Sequence, residues 1–271
     1  MYSDILPFWQ EIGTSASIIS KRVSEKLKIK TSHTGTLDPL ATGVVLIILG
    51  DKSQNKEMYI QEKKEYEFEI IFGFNTDTHD GMGVIEEINT ESDIEKLDIN
   101  EIKKVIMSFQ GKISQRYPDF SSKKISGKSL WEYKRLGALV PKVYIEGEIY
   151  EIEMLRHEFI LSSQVISSLK YQISKVKGNF RQSEILQNYN SAKFPDKFLS
   201  IKLRVVMSRG LYVRGLVRDI CSKLDSAGIV FNLIRTKDGI YSQKECQILS
   251  NYFSKELEKD SEFLSPNFLN L

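Results

Sequence analysis

One carboxylate stands in an unusual setting near the start of this 271-residue chain. Asp38 lies within the sequence HTGTLDPLATG at residues 33–43, among small and hydroxylated residues and directly before a proline. Asp-Pro is a common turn element, so Asp38 could do no more than accept turn hydrogen bonds. The flanking Gly35 and Gly43, however, allow a ligand or another stretch of backbone to approach closely. The apolar strand predicted from Val44 onward would give that loop a rigid base. Taken alone, the motif leaves a turn and a catalytic carboxylate equally open.

Basic side chains are clustered, although 38 Lys and Arg against 36 Asp and Glu leave a net charge of only +2. Residues 101–142 hold ten basic and three acidic side chains, and residues 201–218 hold five basic and no acidic ones. Two such zones could together form a surface that binds a polyanion. On charge alone, however, a solvated protein surface is the commoner explanation.

The composition excludes several classes of protein. Hydrophobic residues make up 41% and charged residues 27%, which does not fit a disordered chain, a collagen-like repeat or a coiled coil. The longest apolar run, VVLIIL at residues 44–49, is far shorter than a membrane span, and the N-terminus lacks the pattern of a signal peptide. Cys221 and Cys246 are too few for a disulfide framework. We therefore expect a reduced, soluble, cytoplasmic protein that does not associate with a membrane.

The hydrophobic periodicity predicts an α+β fold around a mixed or antiparallel sheet with flanking helices, because strands outnumber helices without alternating regularly with them. Strands are predicted at residues 44–49, 65–73, 143–159, 169–176 and 199–207. Apolar residues at helical spacing predict helices around residues 15–27, 102–109, 129–136 and 213–224. Residues 162–197 are weakly patterned and rich in Ser, Asn, Gln and Lys, so we expect long surface loops there.

Four motifs carry a resemblance to a known family. HTGTLDPLATGVVLIILG at residues 33–50 closely resembles the catalytic signature of the TruB-type tRNA pseudouridine synthases. The others follow in the family's order: KEY with the loop GFNTDTHDGMG at residues 64–83, a stretch at residues 115–137 that resembles the family's RNA-facing region, and SRGLYVR with LIRT at residues 208–236. The resemblance covers most of residues 13–241 and implies the pseudouridine synthase fold.

The resemblance identifies Asp38 as the catalytic nucleophile. A carboxylate that must stay ionised in a dry pocket needs a nearby cation, because burial without a partner would raise its pKa and neutralise it. Arg214 is the candidate, because a guanidinium stays charged and can meet a carboxylate with two hydrogen bonds. The matching arginine of the family has this role. A phosphate contact at a helix start is the alternative for Arg214.

Tyr66 is the third candidate catalytic residue, because it matches the family's tyrosine that stacks on the target base and helps in proton transfer. An aromatic platform suits an enzyme that extracts a base from its stack. A tyrosine on the inner face of a strand can also be ordinary core. Further substrate-binding residues implied by the resemblance are His33, Tyr212 and Leu233. His79 and His157 match nothing in the family, so we expect them at the surface.

The implied reaction is isomerisation of uridine to pseudouridine in the T-loop of tRNA, by cleavage of the glycosidic bond, rotation of the base and rejoining through carbon. It needs no metal and no other cofactor, in keeping with three histidines and two cysteines that are scattered along the chain. The expected partner is the T-arm of tRNA, without a guide RNA, and we expect a monomer. Two alternatives are a non-catalytic protein that binds or folds tRNA and a catalytic subunit that depends on a guide RNA.

The chain departs from the family's pattern at both ends. The family opens with a Lys-Pro motif before a Thr-Ser pair, whereas residues 9–15 read WQEIGTS. Bacterial members commonly carry a C-terminal RNA-binding domain of the PUA type, for which the residues after Tyr241 are too few. We therefore expect a catalytic domain at residues 1–241 and a short C-terminal tail, without a full PUA domain, at residues 242–271.

Overall fold

The computed structural model describes residues 4–60 and 63–252, in which helices pack on one large sheet. The strands are β1 (Ile5–Gln10), β2 (Thr31–His33), β3 (Thr42–Leu49), β4 (Lys63–Phe72), β5 (Phe74–Thr76), β6 (Ile85–Ile88), β7 (Gly111–Arg116), β8 (Lys124–Ile125), β9 (Lys128–Ser129), β10 (Tyr144–Leu161), β11 (Lys197–Ser208), β12 (Gly228–Asp238), β13 (Tyr241–Ser242) and β14 (Gln247–Ile248). The α-helices are α1 (Ala16–Leu27), α2 (Glu91–Glu95), α3 (Ile99–Met107), α4 (Leu130–Arg135), α5 (Ser162–Lys175), α6 (Gln182–Ser191) and α7 (Val213–Lys223). No helix in these two described ranges is long and apolar enough to cross a membrane.

Ten of the strands form a single sheet in the order β14-β1-β3-β12-β4-β11-β10-β7, with β13 paired to β12 and β2 to β3. Neighbouring strands are antiparallel except in the β1–β14 and β3–β12 pairs, which are parallel. The predicted α+β fold around a mixed sheet is thus confirmed. β14, from the expected tail, pairs with β1 at the edge of this sheet, and residues 253–271 lie outside the described residues.

β3 is buried on both faces, which makes it the rigid base expected for the loop that precedes it. Val45, Ile47 and Leu49 pack with α1 and β1 in a small hydrophobic cluster. A larger cluster is formed by α3, α5, α6 and α7 with β4, β11 and β12. Full burial of one aliphatic side chain stabilises the folded protein by about 1.5–3 kcal/mol. Because β3 buries several such side chains, the loop before it cannot easily displace the strand.

The helices predicted from apolar spacing are present, and side-chain caps mark the starts of α1 and α4. α1 starts behind Ser15, whose Oγ accepts a hydrogen bond from Ile18 N at 3.2 Å. α4 starts with a capping box between Ser129 and Glu132. α7 carries Cys221 on its buried side, as the spacing predicts.

The predicted strand at residues 169–176 is wrong, and so is the expectation of long surface loops across residues 162–197. These residues form α5 and α6, which are joined by residues 176–181. Val165, Leu169 and Ile173 are buried at helical spacing. The helical period is hard to recognise in the sequence, because a polar residue, Gln172, is buried on the same helix face as these apolar residues.

Residues 117–143 leave the sheet between β7 and β10 and form an excursion that contains the β8–β9 hairpin and α4. Ser126 and Gly127 both have positive φ, 49° and 83°, as a two-residue hairpin turn requires. The structure describes every residue of this excursion, and its buried hydrophobic side chains are those of Tyr117 and Leu130. It therefore presents mostly exposed surface.

Candidate active site

The Asp38 loop joins β2 to β3 and is shaped by its own backbone. Asp38 O accepts a hydrogen bond from Ala41 N at 3.0 Å, so Asp38 and Pro39 do form a turn. Gly43 closes the loop with a φ of 124°, and a Cβ at this position would lie 2.3 Å from Arg235 O. Glycine is therefore required here, because any side chain would separate β3 from β12 and displace the loop.

Asp38 is paired with Arg214, which projects from the first turn of α7. Nε and Nη2 of the guanidinium donate to Oδ2 and Oδ1 of Asp38 at 2.9 Å and 2.8 Å. Nη1 also donates to Thr78 O at 3.0 Å, and Nη2 to Phe120 O at 3.3 Å. The Arg214 side chain is 4% exposed and that of Asp38 is 26% exposed. The cation is thus held on several sides, while the carboxylate keeps an open approach.

A second carboxyl group, Asp80, lies 3.5 Å from Nε of Arg214. Its Oδ1 accepts hydrogen bonds from Thr78 Oγ1 at 2.6 Å and Met82 N at 2.8 Å. Burial raises the pKa of Asp80, and Arg214 opposes that rise. Burial lowers the pKa of Arg214, but the two carboxylates raise it above its ordinary value, so the guanidinium stays charged.

Gln115 holds the start of α7 in place. Its Nε2 donates to Tyr212 O at 3.0 Å, and its Oε1 accepts from Tyr212 N at 2.8 Å. Gln115 is 1% exposed and packs on Gly215, where a Cβ would lie 2.7 Å from its Cδ. Although its motif resembles an RNA-facing region, Gln115 is an interior residue that fixes the helix turn from which Arg214 projects.

Tyr66 lies on β4, between Arg235 of β12 and Val205 of β11. Burial raises the pKa of its phenol, while Arg235 lowers it by its charge and by a hydrogen bond. Asp38 also raises the pKa of Tyr66, which places the phenol within electrostatic reach of the carboxylate. The phenol therefore stays protonated at neutral pH and can donate a hydrogen bond.

Leu233 lines a narrow pocket together with Asp38 and Arg214. β12 is irregular directly before this residue, where Asn232 adopts a left-handed φ of 50°. Bulges of this kind turn side chains away from their regular direction and are common beside functional sites. The bulge therefore explains why Leu233 reaches the pocket.

α5 supplies another wall of this pocket, through Leu169 and Gln172. Nε2 of Gln172 donates to Asn232 Oδ1 at 3.2 Å, which joins the helix to the β12 bulge. The weakly patterned segment at residues 162–197 thus contributes directly to the site, which the sequence did not indicate.

The two remaining expected substrate-binding residues lie in different surroundings. Tyr212 stacks edge-on against Tyr117, with 5.7 Å between ring centroids; burial and Asp38 raise the pKa of its phenol. His33 instead lines an open cleft of about 430 Å³ beside α1, and its Nε2 lies 3.3 Å from Ser17 Oγ. Burial, followed by Lys56 and Arg235, lowers the pKa of His33. Tyr212 thus packs on Tyr117 and is affected by the charge of Asp38, whereas His33 lies in a separate cleft.

The expectation that His79 lies at the surface is wrong, since the residue is half-buried, whereas His157 is exposed as expected. His79 O accepts a hydrogen bond from Val230 N at 3.0 Å, which ties its turn to β12. Burial, together with Arg218 and Arg214, lowers the pKa of His79 to about 4. The imidazole is therefore neutral at physiological pH.

The two basic zones differ in how their charges are used. Cations of residues 201–218 contact acidic side chains of the protein itself: Lys202 with Glu67 at 2.8 Å, Arg204 with Glu151 at 3.1 Å, Arg214 with Asp38 and Arg218 with Asp219 at 2.8 Å. Exposed lysines remain in the other zone, namely Lys103, Lys104, Lys112, Lys123, Lys124, Lys128 and Lys142. Four of them, Lys123, Lys124, Lys128 and Lys142, lie in the excursion at residues 117–143.

Two buried polar residues of the site lie in the family-like motifs but were not predicted as site residues. Asp80 and Gln115 are each nearly covered by protein, at 7% and 1% exposure. The only sequence signal for Asp80 is an acid within a turn-rich run of Thr, Asp and Gly. For Gln115 the signal is its place at the start of the motif at residues 115–137, which does not indicate burial, because a polar residue on a strand is normally exposed.

Comparison with known proteins identifies the family. A model of the TruB family pseudouridylate synthase N-terminal domain matches residues 21–180, more than half of the chain. The chain belongs to the TruB family. It is 32% identical over 237 residues to the tRNA pseudouridine synthase B of Caldanaerobacter subterraneus subsp. tengcongensis. The aligned residues cover 88% of this chain and 67% of that protein. The TruB-family protein of Aquifex aeolicus, also named tRNA pseudouridine synthase B, is 32% identical over 246 residues, 90% of this chain and 71% of its own length.

Solved structures share the fold of this TruB-family chain. The Cbf5-Nop10-Gar1 complex matches with a TM-score of 0.57 and 18% identity, over 94% of this chain and 56% of the solved chain. The H/ACA RNP bound to a substrate RNA containing 2'-deoxyuridine matches with a TM-score of 0.54 and 17% identity. The present chain thus spans little more than half the length of these solved chains, and the likeness concerns the fold.

Proposed function

We propose that this TruB-family protein is a tRNA pseudouridine synthase that isomerises a uridine of the T-loop. The observation that carries the proposal is the carboxylate of Asp38, which two hydrogen bonds hold on the buried guanidinium of Arg214 while a quarter of its side chain remains exposed, at 26%. The names of the relatives, tRNA pseudouridine synthase B, support both the reaction and the substrate class.

In the proposed reaction, Asp38 acts as the nucleophile and attacks C1′ of ribose, which forms an ester as the bond between C1′ and N1 of uracil breaks. The detached uracil turns beside Asp38, C5 bonds to C1′ and displaces the carboxylate of Asp38, and the proton on C5 leaves while N1 gains one. Substrate and product are isomers, so no electrons or groups are consumed. Arg214 keeps the carboxylate of Asp38 oriented, because the paired carboxylate needs no rearrangement before it reacts.

Tyr66 would hold the target base and donate or relay a proton through its neutral phenol. Leu233 and Tyr212 would line the place of the base, since one lies in the pocket of Asp38 and the other within its electrostatic field. His33 would contact the RNA from its own cleft. A protein that only binds or folds tRNA would not need Asp38, Arg214 and Tyr66 together, which disfavours that alternative.

The proposed partner is the T-arm of tRNA, recognised without a guide RNA by a monomer in the cytoplasm. Exposed lysines of residues 112–142 support an RNA surface next to the site, because Phe120 of the same excursion contacts Arg214 through its carbonyl oxygen. We further propose that residues 1–241 contain the catalytic domain.

The purified protein, incubated with an unmodified tRNA transcript and no other RNA, should form pseudouridine in the T-loop. Asp38→Asn keeps the shape of the side chain but removes the attacking carboxylate, so single-turnover product should vanish while tRNA binding persists. Pseudouridine mapping and a filter-binding assay measure the two effects.

Asp51→Asn is the matched control, because Asp51 is an exposed acid on a surface 3-10 helix and should leave the rate unchanged. Substantial product from Asp38→Asn would remove Asp38 from the role of nucleophile. Absence of product from the unaltered protein, with tRNA still bound, would favour the non-catalytic alternative.

A further inference from the structure

Arg181 lies at the end of the linker between α5 and α6 and makes a two-point contact with Asp77. Nη1 donates to Oδ2 at 2.8 Å, and Nη2 donates to Oδ1 at 3.1 Å. The Arg181 side chain is 32% exposed and that of Asp77 is 10% exposed. A forked contact of this kind fixes the orientation of both groups, unlike a single ion pair at the surface.

The same guanidinium also packs on an aromatic ring from a different part of the chain. Its Cζ lies 4.6 Å from the centroid of the Phe120 ring, within the range of a cation–π interaction. Arg181 therefore joins three segments: the α5–α6 linker, the turn after β5 that contains Asp77, and the start of the excursion at residues 117–143.

Two of these segments supply carbonyl oxygens to Arg214. The residue after Asp77 provides Thr78 O at 3.0 Å, and Phe120 O lies at 3.3 Å. Asp77 additionally closes its own turn, because its Oδ1 accepts a hydrogen bond from Val84 N at 3.0 Å. Loss of Arg181 would release both carbonyl groups from the arrangement in which they bind the guanidinium.

We propose that Arg181 is a positioning residue for the active site, which clamps the Asp77 turn to Phe120 and so fixes Arg214 against Asp38. This inference rests on the proposed function for its kinetic consequence. It assigns a role to the segment at residues 162–197, which shows no functional motif in the sequence. Because the clamp acts through Arg214, it should affect the chemical step and not the capture of tRNA.

Arg181→Gln should slow single-turnover pseudouridine formation by about 10- to 100-fold, the usual cost of slight misplacement in a reacting site. Affinity for tRNA should stay within about twofold of the unaltered protein, since the lost contacts are internal. Arg181→Lys keeps the charge but not the fork, and should give a rate between the two. Asp77→Asn should slow the reaction similarly, and the loss in the double variant should be smaller than the product of the two single losses, because both changes break the contact between Arg181 and Asp77.

Lys177→Gln is the matched control, since Lys177 is an exposed cation in the same linker. The clamp is overturned if Arg181→Gln leaves the rate unchanged, if it weakens tRNA binding without slowing the chemical step, or if Lys177→Gln slows the reaction equally. Multiplicative effects of the Arg181 and Asp77 variants would also overturn it.

Hydrogen exchange tests the clamp independently of the reaction. Backbone amides at residues 77–84 and 117–121 should exchange faster in Arg181→Gln than in the unaltered protein or Lys177→Gln. If the unaltered protein proved inactive, that result would contradict the proposed function only. The exchange data would then show whether Arg181 clamps the two segments. Unchanged exchange in both segments would overturn the clamp even in an active enzyme.

Discussion

At the scale of single residues, Arg214 combines a permanent charge with a geometry that a lysine could not reproduce. Its guanidinium donates to both oxygens of Asp38 and to the carbonyl oxygens of Thr78 and Phe120. The last two contacts occupy donors that would otherwise be buried without partners. Arg214 therefore serves as the junction between the carboxylate and the two segments beside it.

Arg214→Lys should separate a role in chemistry from a role in RNA binding. The compact ammonium keeps the charge but cannot make the forked contact, so the single-turnover rate should fall by about 100-fold or more, with tRNA affinity nearly unchanged. An unchanged rate with poorer affinity would indicate that Arg214 contacts a phosphate instead.

His79 should make folding stability depend on pH in the mildly acidic range. Its pKa is about 4 in the folded protein, against 6.5 for an unperturbed histidine, chiefly because of burial. Between these values the unfolded chain binds a proton that the folded protein does not, so stability is lost as the pH falls from about 6.5 to about 4. Above about pH 6.5, His79 is unprotonated in both the folded and the unfolded protein, so it adds no pH dependence to the folding stability.

His79→Asn should reduce this loss, because asparagine does not titrate and tolerates the φ of 60° at this position. The measurement is the urea midpoint at pH 5 and at pH 7.5, for the variant and for His157→Asn as a control at an exposed histidine. An equal midpoint difference in all three proteins would show that other groups, such as paired carboxylates, account for the pH dependence.

At the scale of elements, the excursion at residues 117–143 is the expected RNA surface, while β11 is not. Lys124 and Lys128 flank the exposed hairpin turn of β8 and β9. On β11, by contrast, Lys202 lies 2.8 Å from Glu67 of the neighbouring strand. A basic residue contributes to counterion release only if it meets a phosphate, so the two sets of lysines should behave differently.

Affinity for tRNA should therefore fall steeply with salt, and the slope should depend on the hairpin. Substitution of both Lys124 and Lys128 by Gln should reduce the slope of log affinity against log salt by about 0.7–0.9 for each lost phosphate contact. Lys202→Gln should leave the slope unchanged. Titrations at several salt concentrations measure these slopes, and a flat dependence in the unaltered protein would return the hairpin lysines to ordinary solvated surface.

In the whole molecule, one sheet extends from β14 to β7 within the described residues, and the strands of the excursion, β8 and β9, form a separate hairpin. The sheet is anchored by two hydrophobic clusters, whereas the excursion buries few apolar side chains. Segments with little apolar burial open at lower free energy than the core. The excursion should consequently open before the sheet unfolds.

Two single-tryptophan variants can test this order of unfolding, because Trp9 lies on β1 and Trp131 on α4. With Trp9→Phe, the fluorescence of Trp131 should change at lower urea concentration than the far-UV circular dichroism. With Trp131→Phe, the fluorescence of Trp9 should follow the circular dichroism. Coincident transitions for both tryptophans would show that the excursion unfolds with the sheet.

Local sequence patterns were enough to predict the fold class, β3 as the base of the Asp38 loop, and the helices α1, α3, α4 and α7. These features follow from local alternation of apolar and polar residues, from caps and from glycines, which act over a few residues of chain. The resemblance added Asp38, Arg214 and Tyr66 as candidate site residues before any contact was known.

Contacts between side chains that lie far apart in the chain could not be predicted and are seen only in the folded molecule. Asp38 and Arg214 are 176 positions apart, and Arg181 and Asp77 are 104 positions apart, so no local pattern records either contact. The helical character of α5 and the burial of Asp80, His79 and Gln115 were missed for the same reason. A polar residue is buried when its partners arrive from other elements, and the sequence of its own element does not show those partners.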